Sequence, residues 1–281
     1  MSVFPTATYR LQLHHEFTFA HARALVPYLK RLGISHVYAS PFFRAAPGSM
    51  HGYDVCDHNA LNPEIGTRAE FEVFSAELQS HELGLIVDFV PNHMGIEHAM
   101  NPWWRDVLEN GPSSVYTRFF DIDWQPLKRE LEGKVLLPVL SEQYGRTLEG
   151  GGFHLVFSGG NFCVDYSGYT LPLAQHTTRP LLRQAANLLT PTPPELESIL
   201  TAIEHLPPRS ETAEERINER VRESQIIRER LTRLCSETPA AAAAIQSVIA
   251  RAGELRLMAE LIAHHGLTPS FRTIGDWLVV V

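Results

Sequence analysis

Hydrophobic and polar positions along the first third of the chain fall into alternating short-period and helical stretches. Residues 6 to 13, Thr-Ala-Thr-Tyr-Arg-Leu-Gln-Leu, alternate and are β-prone, which predicts a first strand. From Phe17 to Leu32 the period becomes helical: Phe19, Ala22, Leu25, Val26, Leu29 and Leu32 fall on one face, and Gly33 can cap the end. Residues 34 to 39, Ile-Ser-His-Val-Tyr-Ala, predict a second strand that Ser40-Pro41 ends. A long loop follows, then a helix over 67–81 with Thr67 as N-cap, Glu70 three residues on, and Phe71, Phe74 and Leu78 facing inward. The stretch Leu85-Ile-Val-Asp-Phe-Val-Pro-Asn-His-Met94 is apolar on both faces apart from Asp88, as in a strand of a parallel sheet covered on both sides. Gly84 precedes it and Pro91 stops it. The order β-α-β-loop-α-β implies right-handed parallel units, opening either a doubly wound sheet or a (β/α) barrel.

Beyond Met94 the pattern changes twice. Residues 102–110 predict a short helix with Pro102 in its first turn and Gly111 after it. Residues 119–124, 134–138, 152–158 and 161–166 predict short strands, the last two joined at Gly159-Gly160. From Thr178 helical period dominates: 179–189, then Leu196 to Leu206, then Ile217 to Leu234, then Ile245 through Ala252, Leu255, Ala259 and Ile262. The alternating charges of Glu214 to Arg220 suit a solvated helix face.

Composition narrows the function classes. The formal net charge of −8 and pI near 5.9 argue against nucleic acid or an anionic membrane as partner. Cys56, Cys163 and Cys235 are odd in number and widely spaced, so no disulfide framework is expected and a reducing compartment is. The start, Met1-Ser-Val-Phe-Pro-Thr, lacks the pattern of a secretory leader, and no apolar run approaches the roughly 20 residues that span a bilayer. A cytoplasmic protein is expected.

Candidate chemistry gathers in two places. Asp88, Asn92 and His93 lie at the carboxyl end of the third predicted strand, where parallel α/β folds bind ligands. The plainer reading there is a buried Asp tying down a turn beside a half-buried His. The second place is the loop 42–66, in which His51, Tyr53, Asp54, Asp57 and His58 crowd together. Three readings stand side by side: a sugar site with an aromatic ring stacked on a pyranose, a divalent-metal site, and a well-bonded Ω-type loop with no ligand.

Five motifs in order carry a resemblance: Thr8-Tyr-Arg-Leu-Gln12, Tyr38-Ala-Ser-Pro41, Pro47-Gly-Ser-Met-His-Gly-Tyr-Asp-Val55, Leu61-Asn-Pro-Glu-Ile-Gly66 and Val87-Asp-Phe-Val-Pro-Asn-His-Met94. Together they resemble the α-amylase superfamily of (β/α)8-barrel glycosidases, Asp88-x-x-x-Asn92-His93 matching its first signature region. More narrowly they resemble the maltooligosyltrehalose synthases, which turn the reducing-end α-1,4 link of a maltooligosaccharide into an α,α-1,1 link. The match runs from about residue 5 to about 190.

The resemblance implies a partial (β/α)8 TIM barrel, its first three β/α units in residues 1–95, a β-rich cleft-lining insert in 96–178 and a helical segment in 179–281. It implies that Tyr53 stacks under the sugar, that His93 bonds the sugar's primary hydroxyl, that His51 and Asp54 touch substrate, and that Asp88 and Asn92 brace the site. The partner implied is a maltooligosaccharide. Amylase-like proteins can hold calcium near the Asn92 position, but the Asp and Asn residues around it form no recognisable ligand loop, so no metal and no cofactor is expected. Retaining glycosidic chemistry needs two carboxyl groups about 5 Å apart. The family's Gly-x-Arg-x-Asp nucleophile pattern does not occur in the 281 residues, and Asp121, Asp123, Asp165 and Asp276 are poor substitutes for it. The expectation is a truncated, inactive member without the catalytic carboxylates. The alternatives are a non-catalytic glucan-binding or relic chain and an α-1,4-glucan hydrolase of the same superfamily.

Overall fold

The computed structural model describes residues 4–96, 101–251 and 267–271. Met1 to Val3, the later positions of the last helical pattern (Ala252, Leu255, Ala259 and Ile262), and Asp276 lie outside the described residues. The chain forms two compact units, one up to Pro102 and one from Trp103 onward.

In the first unit, β1 (Thr8–Leu11), β2 (His36–Ala39) and β5 (Gly84–Val87) make a three-stranded parallel sheet in the order β1-β2-β5. The register sets Arg10 beside Tyr38 and Tyr38 beside Ile86. Helices α1 (Phe19–Leu32) and α2 (Arg68–Ser80) separate the strands in sequence. Because side chains alternate across a strand, Leu11, Val37, Ala39 and Leu85 share one face. They pack with Phe19, Ala22, Val26 and Leu29 of α1 and Phe74 and Leu78 of α2. Both helices have defined ends. Gly33 closes α1 at φ +85°, donating its N–H to the Lys30 carbonyl. Thr67 caps α2 through a reciprocal box in which the Glu70 amide donates to Thr67 Oγ1 and the Thr67 amide to Glu70 Oε2. Three parallel strands with intervening helices fit a partial TIM-barrel-like fold.

Two expectations shift here. The third predicted strand is shorter than its apolar run, ending at Val87 rather than Val90. The Asp88 amide makes the last ladder bond, to the Ala39 carbonyl at 2.9 Å, and the neighbouring strand then runs into Pro41, which has no N–H to offer. The loop 42–66 contains an antiparallel pair, β3 (Phe43–Ala45) with β4 (Val55–Leu61), with two register irregularities.

The second unit begins with α3 (Pro102–Asn110) and short 3₁₀ turns. The strand expected over 119–124 is absent: Thr117–Phe119 is a 3₁₀ turn and the rest is irregular. Asp123 Oδ1 accepts the Gln125 amide at 3.0 Å, one of the local Asx bonds that compete with a ladder. The strand β6 (Val135–Leu140) precedes α4 (Tyr144–Glu149). The strands β7 (His154–Ser158), β8 (Asn161–Tyr166) and β9 (Tyr169–Pro172) form an antiparallel meander, of which β9 was not foreseen. Helices α5 (Gln175–Asn187), α6 (Pro194–His205), α7 (Glu214–Glu237) and α8 (Pro239–Arg251) follow, and β10 (Leu267–Phe271) pairs in parallel with β6. This unit has its own core, in which Leu155, Phe162 and Val164 of the meander pack with Leu181, Ile199, Ile227, Leu231 and Ile245 of the helices. Among the described residues no helix is long and apolar enough to cross a membrane.

Candidate functional site

The sheet face turned away from α1 and α2 carries Arg10 and Tyr38, and the same parity places Gln12 and Asp88 just past the ends of β1 and β5. Asp88 Oδ2 is the centre of a network. It accepts from the Tyr53 hydroxyl at 2.5 Å, from the Tyr38 hydroxyl at 2.7 Å and from Arg10 Nη1 at 3.2 Å. Arg10 also donates through Nη2 to the Tyr53 hydroxyl at 3.2 Å, and its guanidinium lies 4.9 Å from the centre of the Tyr38 ring. Burial pushes the Asp88 carboxyl up, but the bonds from Tyr53, Tyr38 and Arg10 outweigh it and hold the group below the ordinary carboxylate range. The same bonds act in reverse on the donors. The Tyr53 hydroxyl, more than Asp88, holds the Arg10 guanidinium in its charged form against burial, and the bond to Asp88 raises the Tyr38 phenol.

Tyr53 reaches Asp88 from the loop between β3 and β4, which a tight turn brings over the sheet end. Gly52 has φ +73°, and a Cβ there would sit 2.4 Å from the Pro41 carbonyl oxygen, so the turn admits glycine. Ser49 Oγ accepts the Gly52 amide at 3.1 Å and donates to Asp54 Oδ1 at 2.5 Å. Asp54 therefore ties the turn together. The His51 ring lies stacked at 24° to the Tyr53 ring with centroids 6.1 Å apart, and His51 Nδ1 accepts the Tyr53 amide at 3.0 Å. His93 Nε2 lies 3.0 Å from the Tyr53 carbonyl oxygen, and since that oxygen can only accept, Nε2 carries the proton. Tyr53 is thus held by its amide, its carbonyl and its hydroxyl.

Of the residues singled out from sequence, Tyr53, His51, Asp54, Asp88 and His93 come together here. Asn92 sits exposed in the turn after β5. Asp57 instead accepts the Asn59 amide at 2.8 Å within β4, and His58 packs edge-on against Phe89. Arg10, Gln12 and Tyr38 were not foreseen as site residues, although two of the five motifs contain them. The available sign was a charged and an amide side chain two apart in the alternating first-strand segment, a spacing that puts both on one face. The arrangement offers two carboxylates, two tyrosine rings, two imidazoles and a guanidinium. That set suits binding of a polyhydroxylated ligand.

Comparison with known proteins points the same way. The family model described as Alpha amylase, catalytic domain, matches residues 24–147. A curated protein of Mycobacterium tuberculosis named putative maltooligosyl trehalose synthase is 46% identical over 145 residues, which are 49% of this chain and 18% of that protein. The maltooligosyltrehalose synthase of Arthrobacter ramosus superposes with a TM-score of 0.54 at 37% identity, covering 62% of this chain and 22% of that one. A hypothetical maltooligosyl trehalose synthase of Sulfolobus tokodaii superposes with a TM-score of 0.54 at 34% identity, covering 67% of this chain and 24% of that one. The chain therefore spans about a fifth to a quarter of the length of these relatives, a coverage that fits their N-terminal part. In sequence and in fold the chain is similar to the maltooligosyltrehalose synthases, and in part of its sequence to the α-amylase catalytic domain.

Proposed function

We propose that the first unit carries part of the maltooligosaccharide site of a maltooligosyltrehalose synthase, an isomerase that acts by intramolecular transglucosylation in the cytoplasm, in trehalose synthesis. The observation that carries this reading is the three-point fixation of Tyr53. A ring that is to stack on a pyranose must be held in place before the sugar arrives, because ordering it on binding would cost affinity. His51 and His93 grip its backbone, and Asp88 and Arg10 grip its hydroxyl. In this reading Asp88 is a bracing group, its charged form kept by three donors. His51, Asp54 and His93 border the sugar, and Asn92 braces the turn beyond.

The two carboxylates at the site are already engaged, Asp88 by three donors and Asp54 by Ser49, and the Gly-x-Arg-x-Asp nucleophile pattern is absent from the sequence, whereas glycosyl transfer with retention needs a nucleophile and a separate acid/base. We therefore read these 281 residues as binding the glucan without transferring it. Calorimetric titration with maltopentaose, with products analysed in parallel, tests both halves. The expected result is binding that Tyr53→Ala weakens by about tenfold or more, the scale of one lost stacking contact, and no product ending in trehalose. Equal affinity of the two proteins would remove Tyr53 from the sugar site. A trehalose-ended product would refute the reading of a non-transferring chain.

A further inference from the structure

The loop that bears Tyr53 is also held by two residues of the first motif to which the resemblance assigns no role. Gln12 Nε2 donates to the Met50 carbonyl at 3.3 Å and to the His51 carbonyl at 3.2 Å. Gln12 Oε1 accepts from Arg10 Nη2 at 3.2 Å, and the same Nη2 reaches the Tyr53 hydroxyl. The bond from Arg10 fixes which way the amide points: the guanidinium can only donate, so the oxygen faces it and the NH2 faces the loop. The two side chains stand two residues apart on one face at the end of β1. They grip the loop at two places, Gln12 by the backbone just before the Gly52 turn and Arg10 by the ring hydroxyl just after it.

We propose that Gln12 and Arg10 are positioning residues for glucan recognition, Gln12 acting as a latch on the 50–51 backbone that sets where the Tyr53 ring lies. This inference rests on the reading of Tyr53 as a sugar-stacking residue. The residue type is constrained by the geometry. The side chain must accept from Arg10 at one atom and donate twice from the other, which an amide does and a carboxylate does not. Glu in this place keeps the shape and the contact with Arg10. It donates to neither carbonyl and sets an anion beside both.

The test uses the full chain as wild type, Gln12→Glu, Gln12→Ala, Tyr53→Ala and the double variant Gln12→Glu/Tyr53→Ala, each checked for native helicity by circular dichroism. Maltopentaose binding is read by calorimetry and amide hydrogen exchange is read at Tyr53. Gln12→Glu is expected to weaken binding about tenfold, the scale of one to two neutral hydrogen bonds. In the Tyr53→Ala background it is expected to change binding less than about twofold, because the latch acts through that ring. Exchange at the Tyr53 amide is expected to accelerate in both Gln12 variants. The same loss in both backgrounds, or unchanged exchange at Tyr53, overturns the latch even where sugar binds. Absence of binding by the wild type overturns the glucan reading instead, and the exchange result then still decides whether Gln12 holds the loop. Should Gln12→Glu lose its helicity, Gln12→Ala, which places no charge at the carbonyls, carries both readouts.

Discussion

A carboxylate oxygen has room for several donors, and Asp88 Oδ2 uses that capacity fully. Three side chains from three different segments converge on it. Hydrogen bonds to the charged form lower a carboxyl's pKa, and here they outweigh a desolvation that would raise it. The consequence for stability has a definite sign. A carboxyl whose folded pKa lies below its unfolded value of 3.8 stabilises the fold above that value. The contribution is lost as pH falls through the folded value. The first unit should therefore lose stability as the medium is acidified below about pH 4. In Asp88→Asn the slope over that range should be shallower, with lower stability at neutral pH because Arg10 loses its counter-charge. Urea unfolding between pH 3 and 6, followed on both proteins, checks this. Identical slopes would mean that other carboxyls govern the acid limb. The residues of this network were unequally legible. Tyr53, Asp88 and His93 stand in dense motifs and draw notice. Arg10, Gln12 and Tyr38 become partners of Asp88 when the strand register is known, and register is set by long-range pairing that a single sequence does not display.

At the scale of elements, legibility followed the strength of local chemistry. The helix α2 was visible because Thr67 and Glu70 cap it reciprocally, and α1 because its apolar stripe ends on a left-handed glycine. The pair β3–β4 was not visible. One strand has three residues, the other carries Asp57, His58 and Asn59 in its middle, and the register slips twice, so no clean alternation survives. The irregularity fits the work that segment does, which is to turn a loop back over the sheet end. The turn itself rests on Gly52, where left-handed backbone and the nearness of the Pro41 carbonyl both exclude a side chain. Gly52→Ala should destabilise the first unit by about 1–3 kcal/mol, the usual cost of a strained backbone site. Relief of that strain would have to move the Tyr53 loop, so the same variant should also weaken maltopentaose binding. Thermal unfolding beside calorimetry reads both effects. A stable Gly52→Ala with unchanged affinity would show that the turn is not what places the ring.

Among the described residues the molecule has two cores rather than one. The core of the first unit is built on Phe19, Phe74 and the sheet face of Val37 and Ala39. The core of the second is built on the meander and on helices α5 to α8. The second also buries charge. Arg228 Nη1 donates to Glu109 at 3.0 Å, joining α7 to α3, and Arg220 beside it donates to Asn110 and to the Pro207 carbonyl. Burial pushes Glu109 up and draws Arg209 down to about 10, so this region holds its charges at a cost offset by pairing within the unit. Separate cores predict separate cooperative transitions. Phe74→Ala removes a ring from the first core and Ile199→Ala removes a branched side chain from the second. Each should cost about 2–5 kcal/mol, and each should lower a different transition in a calorimetric scan. Ligand linkage adds an assignment that the mutations alone do not give. A sugar that binds the native first unit raises the transition of that unit by mass action. Maltopentaose should therefore raise the transition that Phe74→Ala lowers and leave in place the one that Ile199→Ala lowers. If both substitutions lower one common transition, the two cores unfold as a single cooperative system. If maltopentaose raises the Ile199-sensitive transition alone, the sugar is held by the second unit and Tyr53 is not its platform.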